Sequence, residues 1–278
     1  MNHLELSALI WVGSVVAGFV GSLTGLGGGV IIVPLLTLGL GVDIRYAVGA
    51  SLVSVIATSS GAAIAYVREG YSNLRVGMLL EIATTLGATL GALLATHIPT
   101  AVIAIIFGVV LLSAVVPAGY ERHVGEAADR PDALATRLRL DSTRPTRTGV
   151  QAYHVHAVPL GFGLMGVAGL LSGLLGIGSG AMKVMAMDFA MRLPFKVSTA
   201  TSNFMIGVTA AASAGIYLNR GYIDPGLAMP TMLGVLVGSL AGARVMAGTA
   251  TRVLRMVFSV VVLGLGVEMI VNGVTGRI

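Results

Sequence analysis

Two apolar stretches, residues 4–40 and 152–191, are each close to forty residues long, and each is interrupted by a run of glycines. About twenty residues at 1.5 Å rise cross the hydrocarbon of a bilayer, so a stretch of this length must bend, break or turn back. Six further apolar stretches follow them, at 46–67, 76–96, 98–118, 197–218, 225–247 and 249–273. Of the 278 residues 55% are hydrophobic and 10% charged, whereas an ordinary soluble domain is about 25% charged. The chain therefore reads as an all-α polytopic membrane protein whose surroundings are the lipid bilayer. Its net charge of +5 marks membrane faces rather than affinity for nucleic acid, and no nucleic-acid partner is expected. The absence of cysteine removes disulfides, Cys-ligated zinc and Fe–S clusters, and no cofactor is expected. Glu5 stands before the first apolar run with no Lys or Arg, unlike the basic start of a signal peptide, so the N-terminus is read as mature protein.

Composition changes abruptly over 119–151, which holds six Arg, five acidic residues, Pro131 and Pro145, and a short helix around Asp132 to Leu140. This is a solvated linker between two transmembrane halves, 1–118 and 152–278. Sliding one half over the other at a constant offset of 151 gives 23 identities in the 99 positions from 18 to 116, about three times what composition supplies. The pairs include Gly25 with Gly176, Gly27 with Gly178, Gly29 with Gly180, Ser51 with Ser202, Thr58 with Thr209 and Phe107 with Phe258. An internal repeat in a membrane protein points to secondary transporters. If each long stretch enters and returns as a glycine-broken hairpin followed by three transmembrane helices, the repeats are inverted. The Lys and Arg residues then divide 13 to 3 in favour of the linker side, with Lys183 left out as intramembrane. The positive-inside rule makes that side cytoplasmic and puts both termini outside.

The two breaks read Gly25-Leu-Gly-Gly-Gly29 and Gly176-Ile-Gly-Ser-Gly180. Successive glycines permit backbone conformations closed to other residues and leave N–H groups without side-chain cover. At bilayer depth such groups are tolerable only when buried in protein or facing a watery cavity. A half-helix starting after each break would aim its positive end at a common point, a site for a small anion. Gly25, Gly27, Gly28, Gly29, Gly176, Gly178, Ser179 and Gly180 are the expected backbone of that site. Ser51 and Ser202 pair across the repeat, and with Thr201 and Asn203 they are candidate donors to an oxyanion. Alternatively, their hydroxyls bond back to their own helices. Gly87/Gly91 and Gly238/Gly242, spaced GxxxG, read as packing faces within the chain or in a homodimer.

Lys183 is the intramembrane charge with most at stake, since an ammonium near the bilayer centre costs about 2.5–3.5 kcal/mol and needs a partner or a task. It can serve as counter-charge to an anion, pair with Asp188, or snorkel to the interface. Glu81, early in its span, can take a coupling proton or sit at the interface. Enzymatic motifs fail on context. Gly161-Phe-Gly-Leu-Met-Gly166 has no strand before it, and Ser179 lacks a mid-helix histidine to activate it. His154-Val-His156, at the linker boundary, gives two ligands at most, so no metal site is expected.

The paired glycine breaks, the downstream Gly49-Ala-Ser51 and Thr201-Ser202 stretches, and the basic linker between two four-segment repeats resemble the TauE/SafE sulfite-exporter family. The resemblance covers both halves outside the linker. It implies a non-enzymatic, multi-pass protein of the bacterial inner membrane that moves a small sulfur-containing anion such as sulfite, a sulfonate or sulfoacetate, often outward. Two departures make the halves unequal: Met185 stands where the first half has Pro34, and Lys183 where it has Ile32. The expected mechanism is alternating access around a midplane site by rocking one repeat against the other; a channel using the same site as its filter is the alternative.

Overall fold

The computed structural model describes residues 3–24, 28–68, 72–115, 132–146, 149–246 and 251–276, and the fold below is that of these residues. In chain order they form α1 (His3–Thr24), α2 (Gly29–Pro34), α3 (Ile44–Arg68), α4 (Leu74–Ala95) and α5 (Thr100–Val115). The linker contributes α6 (Ala133–Arg137) and the strands β1 (Ser142–Thr146) and β2 (Gly149–Tyr153). Then follow α7 (Val158–Leu175), α8 (Gly180–Met185), α9 (Phe195–Asn219), α10 (Pro225–Met246) and α11 (Thr251–Thr275). Each long apolar stretch is thus a long helix, a break and a short helix. The short helices run on into π-helical turns, Leu35–Gly39 and Ala186–Ala190.

The sequence offset of 151 reappears in these bounds: α2 and α8, α3 and α9, and α4 and α10 begin and end at residues so related. Both π turns close alike, with Val42 N–H donating to Leu36 O and Leu193 N–H to Met187 O, each at 3.0 Å. Pro34, which lacks an N–H, precedes the first π turn and Met185 the second. The Pro-to-Met departure therefore leaves the backbone unchanged.

The long helices pair across the halves: α1 lies on α10, α4 on α7, α3 on α9 and α5 on α11, and α9 and α3 also hold α4 and α10. Glycines set the closest of these approaches. The Cα of Gly87 faces the carbonyl of Gly166, that of Gly91 the carbonyl of Leu170, and that of Gly169 the carbonyl of Thr84, so that a Cβ at any of them would collide with backbone. Gly238 meets the carbonyl of Val15 in the same way on the α1–α10 side. These GxxxG glycines serve packing within the chain, where small residues let helix backbones close up without a hydrophobic drive.

Polarity is arranged for lipid. On α4 the residues Met78, Ile82, Leu86 and Leu90 recur every fourth position, one face of a helix, and are 56–62% exposed. In water that stripe would be on the wrong side. Ser51, Ser54, Ser202, Thr209 and Ser213, on the central α3 and α9, are by contrast buried. Among the described helices, α4, α7 and the stretch Pro225–Gly242 are long and apolar enough to cross a membrane by length and composition.

The described part of the linker is more structured than its composition suggests. Asp132 caps α6 by accepting the Leu134 N–H at 3.0 Å, within the expected short helix. The hairpin pairs Ser142 with Tyr153, two residues beyond the expected linker end, and α7 begins only at Val158. The strands were not anticipated, because Ser142 to Tyr153 has no apolar alternation to announce them.

Candidate functional site at the two glycine breaks

Helix α7 stops at Gly176, whose φ of 66° is left-handed and whose N–H closes on Ser172 O at 2.8 Å. Gly178 is left-handed too, at φ 68°, and so is Ser179 at φ 40°. A side-chain-bearing residue in that region costs about 1–2 kcal/mol. Ser179 is held there by its hydroxyl, which donates to Ala168 O at 2.6 Å. On the other side Gly25 and Gly27 lie outside the described residues. Gly28, equivalent to Ser179, is right-handed at φ −65°, and its carbonyl accepts the N–H groups of Ile31 and Ile32 at 3.1 Å. At this equivalent position the two halves therefore differ in hand.

They meet. The Ser51 hydroxyl on α3 donates across the halves to Gly176 O at 2.7 Å. A Cβ built on Gly29 would lie 2.6 Å from Ser51 Oγ and 3.2 Å from Gly176 O, so Gly29, Ser51 and Gly176 share one point. Ser202, on α9, donates to Gly180 O at 3.3 Å. A hydroxyl carries one proton, and Ser51, Ser179 and Ser202 each give theirs to a carbonyl, so in this conformation they pin the breaks. Thr201 is drawn elsewhere: buried against Gly77 of α4, it accepts the Asn73 N–H at 3.0 Å. Asn203 donates to Thr199 O within its own helix at 3.1 Å. Ser172, which sequence reading did not single out, is fully buried one turn before Gly176, and its hydroxyl has no protein partner. Its one signal was a serine beside Gly173 in an otherwise apolar helix.

One turn into α8, Lys183 is fully enclosed, with Nζ donating to Thr209 Oγ1 at 2.6 Å. The Thr209 hydroxyl lies 2.8 Å from Glu81 Oε1, which also accepts from the Thr85 hydroxyl at 3.0 Å. Cation and carboxylate, from opposite halves, are thus joined through a threonine. Glu81 is buried within the protein, 9% exposed, and its Oε2 has no protein partner. Snorkelling does not describe Lys183, and the group facing it is Glu81 rather than the nearby Asp188. The equivalent positions in the other half are Ile32, Thr58 and Met232, so the threonine is repeated and the charges are not. Thr58 returns its hydroxyl to its own helix, at 3.0 Å from Ser54 O and 3.2 Å from Val55 O.

The described part of the linker docks beside this site. Asn73 caps α4 through the Val76 N–H at 3.1 Å and donates from Nδ2 to Leu140 O and Tyr153 Oη, both at 2.9 Å. His156 N–H donates to Met191 O at 3.1 Å, tying the linker to the end of the second π turn. His154 Nδ1 lies 3.4 Å from Asp141 Oδ2, a pairing within the linker. Burial raises the Tyr153 phenol above its ordinary 10.0.

The family model described as "Sulfite exporter TauE/SafE" matches residues 10–269. The chain is 26% identical over 266 residues to the "Probable membrane transporter protein YunE" of Bacillus subtilis, covering 93% of this chain and 95% of that protein. A second Bacillus subtilis protein, the "Probable membrane transporter protein YdhB", is 26% identical over 232 residues, 83% of this chain and 84% of its own length. A "Probable membrane transporter protein" of Xylella fastidiosa is 27% identical over 269 residues, 95% of each chain. No solved structure gives a significant match.

Proposed function

Because the chain belongs to the TauE/SafE sulfite exporter family, and is a membrane transporter protein by that membership, we propose that it carries a small sulfur-containing anion outward across the bacterial inner membrane. Sulfite, sulfonates and sulfoacetate are the substrate class. The chain is read as two inverted repeats, each a glycine-broken hairpin plus three spanning helices, with the linker in the cytoplasm. Bounds that recur at an offset of 151 support the repeat.

The observation that carries the reading is the junction of the breaks. Gly29, Ser51 and Gly176 converge there; the unpartnered Ser172 lies one turn before Gly176 on α7, and the buried Lys183 one turn into α8, the short helix after the same break. Backbone N–H groups and hydroxyls suit a tetrahedral or pyramidal oxyanion, and an ammonium supplies charge without chemistry. Among the described residues Lys183 Nζ has Thr209 as its one hydrogen-bond acceptor, which leaves two N–H groups for a ligand. Binding would exchange the bonds that Ser51 and Ser202 now make to carbonyls for bonds to the anion, releasing the second break from α3 and α9. The moving units are then not the repeats themselves. They are two bundles, α1 with α10 and α3, and α4 with α7 and α9, each drawn from both halves.

The test is counterflow of radiolabelled sulfite into proteoliposomes loaded with unlabelled sulfite, with sulfate, taurine and acetate as competitors. Transient accumulation that a sulfur anion suppresses is expected. No accumulation with any sulfur anion would refute the substrate class.

A further inference from the structure

We infer that Glu81 and the transported anion compete for Lys183, with Thr209 as the switch between them, so that each anion travels with one proton that lodges on Glu81. The inference rests on the anion-transport reading above and names the ion coupled to it.

The geometry supplies each part. The carboxylate does not meet the ammonium directly; a hydroxyl stands between, 2.6 Å from one and 2.8 Å from the other. That hydroxyl has a second acceptor, Met205 O, at 2.9 Å. With one proton to give, Thr209 donates either to Glu81 or to its own helix, and the charged acceptor takes it while Glu81 is ionised. An anion arriving at the two remaining N–H groups of Lys183 would bring a second negative charge into a site that holds one positive. A net buried charge is expensive, so one anionic group must leave or be neutralised. Glu81 cannot leave a helix interior, and its Oε2, buried and unpartnered, is where a proton can be added. The proton comes from water on the side from which the anion enters. Thr209 then turns to Met205 O, and Thr85 continues to donate to Oε1. Empty, the site holds Lys⁺ and Glu⁻; loaded, it holds Lys⁺, anion and neutral Glu. Both states are neutral, and one proton and one monovalent anion move together, outward whenever the outward anion gradient exceeds the inward proton gradient.

Other charges on the packed helices are occupied elsewhere or lie at helix ends. Helix α7, packed on α4, has no titratable residue. On α9 the titratable groups are Lys196 and Tyr217, thirteen and eight residues from Thr209, or about 20 and 12 Å along the axis. Arg75, on α4 itself, is exposed and donates to Arg139 O at 3.1 Å. Helix α3 carries Arg45 and Arg68 only at its ends, and Asp188, beyond Lys183, has interactions of its own. Lys183 and Glu81 are each other's electrostatic partner. At the uncharged counterpart, Ile32, Thr58 and Met232, the equivalent helices α2, α3 and α10 pack without charges.

The test uses proteoliposomes of the full chain and radiolabelled methanesulfonate, a strong-acid anion that binds no proton of its own near neutral pH. With the outside one pH unit more acidic than the lumen, the inside-to-outside ratio at equilibrium should reach about tenfold, unchanged by a potassium diffusion potential. Glu81→Gln should bring the ratio to about one, and Thr58→Val, at the uncharged counterpart, should keep it at about tenfold. The ratio does not depend on how much protein is active, so a poorly folding variant still reports. If Glu81→Gln is wholly inactive, a lumenal pH dye in the wild type decides, with one proton expected per anion. Exchange of methanesulfonate with a ratio of one in the wild type would overturn the coupling and leave the transport reading standing. Exchange of neither methanesulfonate nor sulfite would overturn the transport reading and this inference with it. If sulfite alone exchanges, the same gradient is applied at an acidic pH where sulfite is the singly charged anion. There, sulfite uptake above that of protein-free liposomes that brings one proton per anion into the lumen supports the coupling, and such uptake without protons overturns it.

Discussion

Alanine at position 176 would be wrong in two separable ways. Its φ of 66° costs a side-chain-bearing residue about 1–2 kcal/mol. The new Cβ would also lie 2.6 Å from Val48 Cγ1 and 2.9 Å from Val48 O. The methyl can turn but the carbonyl belongs to α3, and such overpacking costs typically about 1–3 kcal/mol. Together they predict a loss of about 2–5 kcal/mol for Gly176→Ala. Two other glycines isolate the parts. Gly41 has the same φ of 66° with nothing within 4 Å, so Gly41→Ala should show the backbone cost alone. Gly163 lies in α7 at an ordinary φ with open space around it, and Gly163→Ala should gain roughly 1 kcal/mol of helix propensity. The assay is the apparent unfolding midpoint of purified protein in one detergent at one scan rate, where 1 kcal/mol is worth about 2–4 °C in a chain of this order. Gly163→Ala should melt above the wild type, Gly41→Ala a few degrees below, and Gly176→Ala lowest. Equal midpoints for Gly176→Ala and Gly41→Ala would refute the claim that α3 presses on the break.

Lys183→Met should cost about 3–5 kcal/mol by leaving Glu81 buried and unpaired, and adding Glu81→Gln should return more than half of it. A double-mutant cycle on unfolding midpoints checks this, and additive losses would count against the Thr209-bridged pair. Gly87→Leu and Gly238→Leu should lower the unfolding midpoint without first changing the oligomeric state, since both glycines face carbonyls within the chain. Light scattering coupled to size exclusion distinguishes that from a broken dimer. Tyr153, whose phenol is raised by burial, should hold the linker fully at pH values below the ordinary 10.0 and release it as the pH rises through its higher folded value. Hydrogen exchange at β1 and β2 should show that alkaline loosening, and Tyr153→Phe should remove it while weakening the docked state by about 1 kcal/mol.

The long apolar stretches and the offset of 151 were legible because both are properties of the chain read in one dimension. The pairing of α1 with α10 and of α4 with α7 was not, since GxxxG says that a helix has a close neighbour without saying which. The break glycines could be named from sequence, and Gly29 and Gly176 do converge. Thr201 and Asn203 stood next to Ser202 in the chain, yet on a helix successive residues point about 100° apart, and Thr201 turns to Asn73. The repeat picked out Thr209 beside Thr58 but gave no hint of its task, because the two charges it joins arise in different halves with no partner in the repeat. The β hairpin was hidden for want of hydrophobic alternation.

The crossing of the halves bears on how the protein is made. Helix α1 leaves the ribosome about 200 residues before α10, the helix whose carbonyls and glycines complete its surface. At about 5–20 residues per second, that is roughly ten to forty seconds in lipid without its partner. Helix α4 waits for α7 in the same way, though for a shorter stretch. Synthesis of the first half therefore ends with two glycine-lined grooves still open to the bilayer, and neither half becomes a finished object before the other is inserted.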